Sequence, residues 1–63
     1  MSHHHQILDQ MKRAETELTE AIRTIYAFRG RGVDQDDAYR LIEVRNAVSE
    51  QHEWFRKSFE NRL

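Results

Sequence analysis

Apolar residues recur through the first half of the chain at Ile7, Met11, Ala14, Leu18, Ala21, Ile25 and Phe28. Their steps alternate between four and three, the heptad rhythm of one face of an α-helix, and predict a helix over residues 5–29. Leu8 and Ile22 lie beside this seam and make the stripe wider than a two-stranded coil needs. Asp9, Lys12, Arg13, Glu15, Glu17, Glu20 and Arg23 occupy the other faces. Asp9 and Arg13 have the i,i+4 spacing of a helical ion pair.

The second half repeats the rhythm with Ala38, Leu41, Val48, Phe55 and Phe59, flanked by Ile42 and Val44. Arg45 and His52 stand at two of its seam positions. They read as edge residues whose stems are covered and whose heads reach water or Glu15 and Glu17. A role as polar keys that hold one register is the sharper alternative. Asp34 suits an N-cap, and Asp37 three residues later suits the acid of a capping box. Asp34, Asp36 and Asp37 meet the positive end of the helix dipole; Arg56, Lys57 and Arg62 lie near its negative end. The predicted second helix covers residues 35–61.

Between the two lies the corner, residues 30–34, within FRGRGVDQDD. A Schellman ending with Gly32 as the left-handed residue would set Val33 against Phe28, and Gly30 in that role is the alternative. A corner this short folds the helices back antiparallel. Facing residue numbers then sum to about 63, which sets Phe55 near Ile7 and Leu8, Val48 near Ala14, and Leu41 near Ala21 and Ile22. The expected fold is all-α, a single antiparallel helical hairpin.

A chain of 63 residues without cysteine has no disulfide to hold it, and so small a domain usually needs a staple or an oligomer. Apolar side chains beyond one helix–helix strip, among them Leu8, Ile22, Tyr26, Ile42 and Val44, point to a homodimer closing into a four-helix bundle. Ile7, Leu8, Met11, Leu18, Ile22, Ile25, Leu41, Ile42, Val48, Phe55 and Phe59 are the expected core and dimer residues. Ten basic against 11 acidic residues, for a formal net charge of -1, lack the basic excess of a general DNA-binding protein. No apolar run approaches a membrane span, and MSHHHQ has no signal-peptide core, so a cytoplasmic location without membrane contact is expected.

Few residues carry candidate chemistry. Arg29 and Arg31 form a short RGRG tract, read mainly as the corner, with nucleic-acid contact as the alternative. Asp34, Asp36 and Asp37 stand close enough to offset their field. Three consecutive histidines, His3 to His5, cannot all bind one ion from a regular helix, and His52 lies well away from them, so no metal site is expected. No phosphate loop, nucleophile motif or cofactor fingerprint occurs, and no enzyme activity is expected. Trp54 sits off the seam with Ala47, among Arg40, Glu43, Glu50 and Lys57. It either packs within an assembly or anchors a partner, since tryptophan is frequent among binding hot spots. Trp54, Tyr39, Lys57 and Arg40 are the candidate partner-binding residues.

From MSHHHQILDQMKRAE to WFRKSFENRL, in length, lack of cysteine and proline, and hairpin plan, the chain resembles small early proteins of lambdoid bacteriophages from the exo–xis region. The resemblance implies an accessory regulator inside an infected bacterium, acting on the choice between lysis and lysogeny by binding a host or phage protein. The plan is also similar to ROP-type hairpin dimers, which bind paired RNA loops, though no basic stripe of that kind is evident here.

Overall fold

A computed structural model describes residues 3–62. Two helices make up the fold, α1 from His3 to Ala27 and α2 from Gln35 to Glu60, with no strand among the described residues. They run antiparallel as a hairpin. Its register is fixed at the open end, where the His4 ring stacks on Phe59 at 4.0 Å and 4°. Those two numbers satisfy the sum that the corner predicts.

α1 begins and ends two residues earlier than the spacing predicts. Its last helical bond joins the Phe28 N–H to the Thr24 carbonyl. The chain then leaves in a tight turn, closed by the Arg31 N–H donating to the Phe28 carbonyl at 3.0 Å. Gly30 occupies the third position of that turn at φ 85°, the geometry a type II turn reserves for glycine. Gly32 follows at φ 93°, and the Gly30 N–H donates to the Val33 carbonyl at 3.1 Å. The corner bonds therefore close on one another instead of returning to the helix, and the expected Schellman ending is replaced. Both glycines contribute the positive φ expected of one.

α2 starts as its sequence dictates. The Asp34 carboxylate accepts from the Asp36 and Asp37 N–H groups, and the Asp37 carboxylate accepts from the Asp34 N–H at 3.0 Å. This reciprocal box satisfies donors that the first turn would otherwise leave unpaired. At the far end Asn61 caps the helix through its N–H.

Every expected seam position of α2, from Ala38 to Phe59 and including Arg45 and His52, is buried or half-buried. α1 differs. Its closing row is Leu8, Met11, Leu18, Ile22 and Ile25, whereas Ile7, Ala14 and Phe28 remain exposed. The helix is turned by roughly 50°, half of one residue's step, from the predicted seam. The gain is at Ile22, 5% exposed, which brings far more apolar surface to the contact than Ala21, and burial scales with that area. In exchange Glu15 enters the row, its side chain 23% exposed beside Lys12 at 3.7 Å.

The core is thin. Ile22, Ala38 and Phe59 are the buried hydrophobic residues among those described, with Ile22 5% exposed. The described ion pairs on α1 are Lys12–Glu15 and Glu20–Arg23, three residues apart; Asp9 and Arg13 do not form the expected one among the described residues. The molecule measures 49 × 19 × 10 Å. Its smallest dimension leaves room for one layer of helices, since a second layer would add a further 8–10 Å.

Candidate functional site

In an antiparallel helix pair, the residue preceding each seam position lies on the same broad side of both helices, and the residue following lies on the other. Applied here, the rule divides the exposed and half-buried residues outside the seam. One side carries Ile7, Ala14, Ala21 and Phe28 from α1 and its end, and Val44, Ala47 and Trp54 from α2. Gln10, Glu17 and Thr24 edge it on α1, and Arg40 and Gln51 interrupt it on α2. The other side carries His5, Lys12, Thr19, Tyr26, Tyr39, Ile42, Ser49, Glu53 and Arg56. We term them the alanine face and the charged face.

Trp54 is 56% exposed at the edge of the alanine face. It is held there by packing. Its ring meets Phe55 edge-on at 5.0 Å, Phe55 lies 5.5 Å from Phe59, and Phe59 stacks on His4. An aromatic run thus leads from the seam at the open end out to the surface. Edge-on and stacked ring pairs contribute roughly 1 kcal/mol each beyond their buried area. Arg62 covers Phe59 from outside, its guanidinium carbon 5.4 Å from the ring.

The charged face is organised by Arg56. Its guanidinium bonds the Glu53 carboxylate and donates to Glu60 at 2.9 Å. The Arg56 bond holds the Glu53 carboxyl below the usual carboxylate range, and the same bond raises Arg56. Near the corner, Gln35 donates to the Tyr39 hydroxyl. Thr16, Thr19 and Thr24 return their hydroxyls to carbonyls four residues back in α1.

The four candidate partner-binding residues are not brought together. Trp54 and Arg40 share a face but stand about 21 Å apart along α2. Tyr39 lies on the charged face, and Lys57 on the outer ridge, one turn from Trp54. Arg31 has a local use, with its guanidinium carbon 6.0 Å from the Phe28 ring, while Arg29 is exposed beside the acidic start of α2. No group of three histidine, cysteine or acidic side chains that could hold a metal ion occurs among the described residues. His4 is engaged with Phe59, and His52 is half-buried in the seam. Neither Arg45 nor His52 forms an ion pair with Glu15 or Glu17 among the described residues.

Sequence reasoning missed the alanine face as a single surface. The signal was present, in the fact that Ile7, Ala14, Ala21 and Val44, Ala47, Trp54 each precede a seam residue. It becomes readable only when the α1 seam is placed one residue later. No helix among the described residues is long and apolar enough to cross a membrane. Comparison with protein-family models, with curated proteins and with solved structures finds no match for the chain.

Proposed function

We propose that the protein is a small non-enzymatic regulatory adaptor, working as a twofold pair of hairpins closed into a four-helix bundle and acting by binding another protein. The observation that supports this is the exposure of Ile7, Tyr26, Phe28, Tyr39, Val44 and Trp54 on a hairpin with three buried hydrophobic residues among those described. Domains are stable when packed layers enclose one core, and this hairpin supplies a single layer. In this reading the resemblance to phage early proteins makes the target a host or phage protein in the bacterial cytoplasm, and the outcome a bias between lysis and lysogeny.

Sedimentation of the wild type at micromolar concentration tests the pairing. Twice the chain mass of 7.6 kDa is expected, and a folded monomer would remove the reading. Crosslinking in infected cells tests the adaptor role. Recovery of the chain crosslinked to itself alone would count against it.

A further inference from the structure

We propose that a second copy of this chain docks on the alanine face, through Ile7, Ala14, Ala21, Val44, Ala47 and Trp54. The inference rests on the pairing reading above and names the surface that pairing uses.

Three observations converge. The first is area. A compact monomer of this mass exposes about 4300 Å², whereas this chain exposes 5136 Å². The excess, about 800 Å², is what one partner contributes to an interface of standard size. A second copy covering one broad face would bring each hairpin to the surface of an ordinary folded protein.

The second is composition. The α1 row of the alanine face is apolar along its length, with Ile7, like Trp54 on α2, toward the open end and Phe28 at the corner. Ala14, Ala47 and Ala21 lie between them, where short side chains let another helix approach closely. The apolar row is continuous on α1, whereas on α2 Gln51 shares the row of Val44, and Arg40 that of Ala47 and Trp54. The third is charge. The Arg56 cluster and the Lys12–Glu15 pair lie on the other side, so covering the alanine face breaks none of the described ion pairs. Docking the charged face would desolvate Glu53, Arg56 and Glu60 together, which is costly. A twofold pair needs a surface complementary to itself, and an apolar face of like residues meets that need.

Sedimentation velocity and far-ultraviolet circular dichroism of the wild type, Ala14→Glu and Thr16→Glu decide the matter. Ala14 is exposed on the hairpin, so the glutamate leaves the helix intact. A charge in a covered apolar centre is expected to weaken pairing by about a hundredfold or more. Thr16→Glu, on the other side, is expected to pair as the wild type does. A wild-type dimer insensitive to Ala14→Glu overturns the face and leaves pairing standing. A monomeric wild type overturns pairing itself. Should Ala14→Glu lose its helix signal, Val44→Glu serves the same purpose. Wild-type Trp54 emission is a further readout. A blue shift and reduced iodide quenching are expected as concentration rises through the monomer–dimer transition, and their absence there overturns the proposal.

Discussion

The alanine face and the charged face are built from neighbouring residues of the same two helices, and they solve the problem of exposure in opposite ways. On the charged face, side chains complete their interactions within the hairpin. Arg56 is bonded to Glu53 and Glu60, Tyr39 to Gln35, and Thr19 to its own helix. On the alanine face, beyond the Trp54–Phe55 and Arg31–Phe28 contacts, the side chains present apolar surface to solvent. Glu53 and Trp54 show the contrast at one peptide bond. The glutamate follows a seam residue and finds a cation, whereas the tryptophan precedes one and is left 56% exposed. Half a residue's rotation of α1 decides which side chains fall where.

The largest test compares two isoleucines. Ile22→Ala removes a buried seam residue and is expected to cost about 2–4 kcal/mol, read from urea unfolding. Ile7→Ala makes the same chemical change on the alanine face, where the side chain is 39% exposed. In dilute solution it is expected to cost below about 1 kcal/mol, with the loss growing as concentration rises. Equal losses at all concentrations would erase the distinction between seam and face.

Next in size is the corner, which sets the register on which the two faces depend. Gly30→Ala and Gly32→Ala meet no neighbouring atom within 4 Å, so the penalty is the positive φ alone. About 1–2 kcal/mol each is expected in thermal unfolding. An unchanged melting temperature for both would mean that the corner relaxes freely. Asp34→Ala, which removes the α2 cap, is expected to cost about 1 kcal/mol by the same measurement.

The smallest effect concerns protons on the charged face. Because Arg56 lowers the Glu53 pKa, ionised Glu53 stabilises the helix above the ordinary carboxylate range. That contribution fades as pH falls through the lowered folded value. Helicity followed from about pH 7 to about pH 2 should show this loss in the wild type, and a shallower one in Glu53→Gln. Trp54→Ala, one residue away on the other face, should keep the wild-type slope.

Much of this architecture was legible in the residues. Heptad spacing gave both helices, Asp34 and Asp37 gave the start of α2, and the short corner gave the antiparallel register that His4 and Phe59 satisfy. The α1 seam was not legible, because two rows one residue apart both keep heptad time. Choosing between them requires weighing Ile7, Ala14 and Ala21 against Leu8, Glu15 and Ile22 on a specific partner helix, a tertiary property. The ending of α1 was misread for a local reason. Two glycines in RGRG offered several positive-φ solutions, and the tight turn at Gly30 prevailed over a longer helix. The candidate surface suffered from the first ambiguity, since Trp54 and Ala47 stand off the seam while Ile7, Ala14 and Ala21 read as the seam itself.

The His4–Phe59 stack joins residues nearly a whole chain apart in sequence, whereas Ile25 and Ala38 meet across the corner with few residues between. Loop closure costs more as the enclosed segment lengthens, so the contacts near the glycines are expected to open less often than the aromatic stack. Amide protons near the corner are therefore expected to outlast those near His4 in exchange with deuterated water, giving the rod a graded lifetime along its length.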